Sequence, residues 1–131
     1  MRAMTLAVDY NLTVRTNRLQ QGIDATDAGA TNGTLRLLDS GGTILASLSL
    51  ARPSATAANG VATFNGMSLI DPAAAATGYA TAARTEDGDG NTIISGLTVG
   101  MGSTSEIVMS PTNYITAGQT VAITAATITG N

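Results

Sequence analysis

Oxygen-bearing side chains alternate with other residues in the segment EDGDGN, where Asp87, Asp89 and Asn91 stand two positions apart. Such side chains on a glycine-rich loop can surround a hard cation such as calcium, which takes carboxylate and amide oxygens as ligands. The match to a calcium-binding loop is incomplete, because Thr92 replaces the glycine of its sixth position and Thr98 the glutamate of its twelfth. Asp-Gly steps are also typical of hairpin turns. The sequence therefore favours a turn here and leaves a cation site at Asp87–Asn91 as the alternative.

Paired carboxylates can act as general acid and general base, and Glu86, Asp87 and Glu106 are the acids nearest this segment. Their spacing places no two of them across a cleft, and the chain has no tryptophan to support a sugar ring. Serine is plentiful, but no histidine or lysine is present to activate it and no Gly-x-Ser-x-Gly elbow occurs. We therefore assign no catalytic, cofactor-binding or metal-ligating residue and expect a protein that is not an enzyme.

The composition narrows the functional classes further. The 131 residues contain no cysteine and no histidine, and six arginines against nine acids give a net charge of −3. Disulfides, thiolate sites and the usual neutral-pH general base are thus excluded. The arginines are scattered apart from Arg15 and Arg18, so nucleic-acid binding is not expected. No apolar run approaches the ~20 residues of a membrane helix, and the start MRAMTLAVDYN lacks a sustained apolar region. The sequence predicts no membrane partner and synthesis in a cytoplasm.

The remaining candidates for a site are an arginine and a group of glycines. Arg36 lies in the middle of a predicted strand, opposite a leucine face, where it is either solvated or in contact with a partner through its forked guanidinium. Both readings stay open. The glycines form no phosphate-binding motif and are typical of turns. They stand at Gly29, Gly33, Gly41 and Gly42.

The strongest local fold signal is a β-hairpin over Thr34–Leu50, where two apolar runs flank the turn residues DSGG. Alternation predicts one core-facing wall and one opposite face. The predicted wall consists of Leu35, Leu37, Ile44, Ala46, Leu48 and Leu50. The opposite face consists of Arg36, Leu45, Ser47 and Ser49, with Leu38 and Leu45 needing cover from the same chain or from a neighbouring subunit. With only Tyr10, Phe64, Tyr79 and Tyr114 as aromatics, we expect a thin core that favours help from partner subunits.

The whole chain, residues 1–131, is predicted to form one domain that is mainly β. An N-terminal arm (1–10) precedes one amphipathic helix (11–25), and an antiparallel β-sandwich, in one form jelly-roll-like, occupies 33–129. Ala51–Gly60 is predicted as a surface connection, Val61–Asn65 as a short strand with an extension towards Ile70, and Ala73–Ala76 as either a helical turn or a loop.

Further along the chain we predict a second hairpin, from Gly78–Thr85 and Thr92–Val99 around the segment EDGDGN, and a strand over Thr104–Met109. The tail alternates from Val121 to Ala125 and then changes phase, which a bulge near Ala125–Ala126 would explain. This gives seven or eight strands with no convincing internal repeat.

Several segments together resemble a family of small proteins encoded among tailed-bacteriophage virion genes. They are RLQQGIDATDAGA, GTLRLLDSGGTILASLSLARPSA, TGYATAARTEDGDGNTIISGLTVG and TAGQTVAITAATITG. The resemblance implies a structural protein of the virion that decorates or cements the assembled capsid. It also implies the major capsid protein and further copies of the chain, as a dimer or trimer, as partners. Assembly would occur in the host bacterial cytoplasm, and the arm Met1–Tyr10 is a possible lattice contact.

Three other functional classes stay open. Within a virion, the chain could be a neck, collar or tail-attachment component, and the copy number per particle separates these from decoration. Outside that class, it could be a small module that binds a host-surface glycan or protein, with Asp87–Asn91 supporting a calcium-dependent site. A hydrolase that uses acids alone is the third alternative.

Overall fold

The computed structural model describes residues 11–66, 69–101, 105–109 and 112–129. Of these residues 45% lie in strands and 13% in one helix, so the expectation of a mainly β fold with one N-terminal helix is confirmed. The helix is α1 (Leu12–Thr26). The strands are β1 (Thr34–Leu38), β2 (Ile44–Ser49), β3 (Ala55–Ala58), β4 (Val61–Phe64), β5 (Leu69–Asp71), β6 (Gly78–Tyr79), β7 (Ala82–Glu86), β8 (Thr92–Gly100), β9 (Ile107–Val108), β10 (Tyr114–Ile115), β11 (Val121–Ile123) and β12 (Ala125–Thr129).

Helix α1 is capped by Asn11, whose side-chain oxygen accepts a hydrogen bond of 2.9 Å from the backbone N–H of Val14. The apolar residues near the end of the predicted amphipathic helix pack inward, but those near its start do not: Ile23 is 4% exposed, whereas Leu12 is 48% exposed. Because the intrinsic propensity of its β-branched residues is low, this inner contact must support the helix. The predicted arm, 1–10, lies outside the described residues.

The two predicted hairpins have separate turns with the same hydrogen-bond geometry. In the first, the Oδ1 atom of Asp39 accepts hydrogen bonds from the N–H groups of Gly41 and Thr43, and the Asp39 N–H donates to the Thr43 carbonyl. In the second, Asp87 makes the equivalent three bonds with Asp89 and Asn91. The fourth residue of each turn is a glycine in the left-handed region, with φ of 88° in the first and 89° in the second. The prediction of turns at both sites is confirmed.

The two hairpins resemble each other in the geometry of their turns. They pack with β1 against β7, in the strand order β2-β1-β7-β8. The antiparallel register places Arg36 opposite Arg84. Arg36 precedes Asp39 by three residues, as Arg84 precedes Asp87, so residues of the inner strands and turns correspond at an offset of 48. The outer strands follow this offset only near the turns, because the second hairpin has an additional register shift. An approximate local two-fold axis therefore passes between the two arginines. Few residues are shared between the two hairpins, and their likeness lies mainly in the backbone geometry of the turns, so no repeat is evident in the sequence.

Beyond β8 the sheet continues as β9-β12-β4-β3. The β8–β9 pair is parallel, so the sheet is mixed and not wholly antiparallel as predicted, and it is curled, in keeping with a sandwich-like fold. Ala51–Gly60 contains strand β3, which pairs with β4, so the expectation of a connection without a strand is wrong. Pro53 precedes β3 and lies outside it, so the strand can pair along its full length. Ala73–Ala76 forms no helix, which leaves the loop of the two alternatives.

The phase change in the tail has a different cause from the predicted bulge at Ala125–Ala126. The chain leaves one sheet and enters another at Thr124: β11 pairs with β5, whereas β12 pairs with β9 and β4. The predicted strand Thr104–Met109 is represented by β9, and its beginning lies outside the described residues. The extension from Val61 towards Ile70 is interrupted, because β4 and β5 have different partners.

Most of the predicted wall of the first hairpin is buried, with Leu35, Leu37 and Leu48 fully inaccessible. Two positions differ. Ile44 is half-buried, and Leu45, predicted for the opposite face, is fully buried. A shift of register between β1 and β2 at Leu37/Leu38 changes the alternation there. The segment that leads into β6 lies against Leu45: the Ala75 N–H donates to the Leu45 carbonyl at 2.9 Å, and a Cβ on Gly78 would lie 3.3 Å from Cδ2 of Leu45.

Candidate functional site

The carboxylate of Asp87 holds its own turn together. Its Oδ1 atom accepts from the N–H groups of Asp89 and Asn91, and its Oδ2 atom accepts from the side-chain amide of Asn91 at 3.1 Å. The hydrogen bonds from Asn91 hold the pKa of Asp87 below its usual value. A calcium ion would have to compete with these donors. Within the described parts of the chain, no three acidic side chains come together at metal-binding distance.

The acids considered as catalytic partners are far apart in the sheet. Glu86 is paired with Thr92 at one end of the second hairpin. Glu106 accepts hydrogen bonds from the backbone and side chain of Thr98, six residues further along β8. Six strand residues span about 20 Å. The structure therefore does not bring Glu86 and Glu106 to one site. The carboxylate of Asp87 is occupied by hydrogen bonds within its own turn.

Arg36 belongs to a charged cluster on the sheet face opposite the leucine wall. Its Nε atom donates to Oε1 of Glu86 at 2.8 Å, and the Nε atom of Arg84 donates to Oε2 of the same carboxylate at 2.8 Å. Arg36 also donates to the hydroxyl of Ser47. The residue is thus neither simply solvated nor free, because an ion pair within the chain holds it. We call Arg36, Arg84 and Glu86 the arginine cluster.

The arginine cluster combines one buried carboxylate with two partly exposed guanidinium groups. Glu86 is 4% exposed, whereas the side chains of both arginines are 30% exposed. Burial raises the pKa of Glu86, but the hydrogen bonds and positive charges of Arg36 and Arg84 outweigh that effect and hold the pKa below its usual value. The carboxylate offsets the repulsion between two arginines that stand directly opposite each other in the ladder. The equal spacing of Arg36 and Arg84 from a turn aspartate is the sequence signal that could have revealed it.

A second surface feature is an aromatic pair. Tyr79 and Tyr114 lie opposite each other in the two-stranded ladder of β6 and β10, with ring centroids 4.8 Å apart and ring planes tilted by 59°. Tyr79 is 59% exposed and Tyr114 is 39% exposed, whereas Phe64 is buried. The chain has four aromatic residues, so this exposed pair contains half of them. Sequence reasoning treated them only as limits on the core.

The enclosed hollow beside α1 offers little room for a ligand. A gap between the helix and the sheet, bordered by Ile23, Phe64 and Ile94, has space for one water molecule at most. A shallow open depression lies outside, between Leu12 and Asn59. No helix in the described parts is long and apolar enough to cross a membrane.

Comparison with protein-family models, with curated proteins and with solved structures finds no match for this chain. The site must therefore be interpreted from its own chemistry. Two features remain after the geometry is considered: a charged cluster with accessible arginines and an exposed pair of tyrosines. Both are chemically suited to contact with another protein.

Proposed function

We propose that this chain is a non-enzymatic structural protein that acts by binding other protein subunits, as a decoration or cement protein of a phage capsid. The observation that carries the binding role is the exposed Tyr79–Tyr114 pair. The virion setting rests on the sequence resemblance described above.

Tyrosine suits a contact surface for a physical reason. Its ring buries a large apolar area, its hydroxyl keeps a polar partner available, and few rotatable bonds are fixed on binding. The tilted packing of Tyr79 on Tyr114 restricts both rings before any partner arrives. Ordering therefore costs less when the surface is covered, which is the advantage of preorganisation.

The mechanism follows from mass action. A protein that binds only the assembled shell lowers the free energy of that shell at every site it fills. Many modest contacts on a closed lattice add up to a large effect. In the proposed arrangement one surface binds the major capsid protein and another pairs with a further copy of the chain.

The test is a binding assay with expanded capsids that lack the chain, prepared from the virus that encodes it. The purified chain should bind and raise the temperature at which the shells open. Replacing both Tyr79 and Tyr114 with serine should weaken binding by at least about tenfold. The matched control is Leu12→Ser, because Leu12 is similarly exposed but lies on the helix.

Two outcomes would overturn parts of this proposal. If the double tyrosine variant keeps its circular dichroism spectrum and binds as tightly as the unmodified chain, the tyrosines are not the contact. If quantitative mass spectrometry finds about a dozen copies or fewer per particle instead of hundreds, the chain is a neck or tail component and not a decoration protein.

A further inference from the structure

Two positions related by the local two-fold axis, one on each side of the arginine pair, carry different residues. Glu86 follows Arg84 by two residues and lies diagonally across from Arg36, so it reaches both guanidiniums. The residue related to Glu86 by the two-fold is Leu38, which follows Arg36 by two residues and lies diagonally across from Arg84. One side of the arginine pair therefore has a carboxylate, and the other side has a leucine.

The arginine cluster leaves guanidinium donors unused. Arg84 donates only through Nε, and none of its Nη hydrogens has an acceptor among the described residues. Arg36 uses Nε and one Nη1 hydrogen. Both side chains are 30% exposed, so an acceptor can reach these groups from solvent. Guanidinium groups bind planar carboxylates in forked geometry, and such charge-assisted bonds are stronger than neutral ones.

We propose that the position above Leu38 is a binding site for a carboxylate of an acidic segment of another protein chain. That carboxylate completes the local two-fold arrangement by accepting from Arg36 and Arg84 opposite Glu86. Charge complementarity identifies the occupant: the cluster has one net positive charge in a chain of net charge −3. This face therefore attracts an acidic partner that the rest of the chain repels.

The existing ion pair prepares the site. Glu86 is buried and fixes both guanidiniums through their Nε atoms, so their Nη edges are held in place before a ligand arrives. The inference rests on the proposed function only in that the ligand belongs to a protein. The inference adds to the proposed function the chemistry of one contact, a carboxylate bound by two arginines. The tyrosine pair does not specify such a contact.

The experiment uses the full chain labelled with nitrogen-15 and a hexa-aspartate peptide as the probe, at low salt. The peptide should shift the Nε–Hε resonances of Arg36 and Arg84, and added salt should suppress the shifts because the contact is electrostatic. Hexa-asparagine should leave these resonances unchanged. Equal shifts from both peptides, or none from hexa-aspartate, would overturn the proposal.

The decisive variant is Leu38→Glu, which supplies the missing carboxylate from the chain itself. It should weaken peptide binding by about tenfold or more, because an internal acceptor competes with the peptide. Leu38→Gln is the matched control, since it makes the same change of shape without the charge, and should bind as the unmodified chain does. Thr63→Glu adds the same charge on the exposed side of β4 and should have little effect. Equal binding by all three variants would contradict the inference, and the two-peptide comparison still decides the matter if Leu38→Glu fails to fold.

Capsid binding separates this inference from the proposed function. If the chain binds capsids and the Leu38→Glu variant binds them equally well, the arginine cluster does not contact the capsid. If peptide binding follows the predicted pattern but the chain does not bind capsids, the arginine site stands and the virion role fails.

Discussion

The two arginines between the paired hairpins illustrate how a single carboxylate contributes to local stability. Arg36 and Arg84 are forced into register by the pairing of β1 with β7, and like charges directly opposite each other are unfavourable. Glu86 accepts one Nε hydrogen bond from each. Sequence patterns placed Arg36 on the outer face, but its partner is 50 residues away along the chain. Such a contact depends on strand order, which local patterns do not specify.

Replacing Glu86 with glutamine should reveal this interaction through the pH dependence of unfolding. The pKa of Glu86 is lower in the folded protein than its ordinary value of 4.5, so the carboxylate stabilises the fold above that value. The contribution is lost as the pH falls from about 4.5 through the folded pKa. At pH 7 the variant should lose about 2 kcal/mol in the free energy of unfolding.

Urea unfolding between pH 7 and pH 3 measures the effect. The difference between the Glu86→Gln variant and the unmodified chain should shrink as the solution becomes acidic. Asp89→Asn is the control, because Asp89 is exposed and its carboxylate accepts no hydrogen bond among the described residues. A difference that stays constant with pH would show that the ionised carboxylate contributes nothing.

At the scale of elements, the hairpins were predictable and their partners were not. Asp39 and Asp87 each organise a turn through bonds to residues no more than four positions away, so the signal is local. Strand β3 and the change of sheet between β11 and β12 depend on pairing with distant segments. Alternation in a short run of alanine and threonine does not show which sheet the run will join. The arginine cluster was missed for the same reason.

The repeated turn gives a prediction for two glycines. Gly42 and Gly90 both have φ near 90°, and a Cβ at either position would meet no atom within 4 Å. Alanine should therefore cost backbone strain without a clash, about 1 kcal/mol at each position. Asparagine should recover part of that loss because it tolerates the left-handed region better.

Thermal unfolding of the Gly42→Ala and Gly90→Ala variants tests whether the turns are equivalent. Gly41→Ala is the control, since Gly41 has no positive φ and its Cβ would lie in ordinary contact, 3.5 Å from Oδ1 of Asp39. The two test variants should lose similar stability and the control little. A large loss in only one of them would mean that the turns differ in their contribution.

Leu45 tests the correction to the predicted faces of the first hairpin. The alternating pattern placed it opposite the core, yet it is fully buried beneath the loop that precedes β6. Leu45→Ala should therefore cost about 2–5 kcal/mol, as for a leucine in a packed core. Leu12→Ala, on the exposed side of the helix, should cost less than about 1 kcal/mol. If urea unfolding shows a similar, small loss in the free energy of unfolding for both variants, Leu45 does not pack as a core residue beneath the loop.

For the whole molecule, the composition of the core bears on association. Seven of the 22 buried hydrophobic residues are alanine, which contributes little apolar area, and Phe64 is the only buried aromatic among the described residues. Alanine therefore reduces the apolar area that this core buries. A small domain with such a core has limited stability of its own, and burial between subunits is one way to add to it. The exposed tyrosine pair is available surface for that purpose.

If copies of the chain associate, the midpoint of thermal unfolding must depend on protein concentration. Folded subunits in an oligomer are favoured by mass action, so about a hundredfold increase in concentration should raise the midpoint by several degrees. Light scattering over the same range should show a mass above that of the 13.1 kDa monomer. Serine at both Tyr79 and Tyr114 should remove the concentration dependence if the rings pair the copies, and should leave it intact if the rings face the capsid. A midpoint independent of concentration, together with a monomeric mass, would exclude self-association in solution at these concentrations.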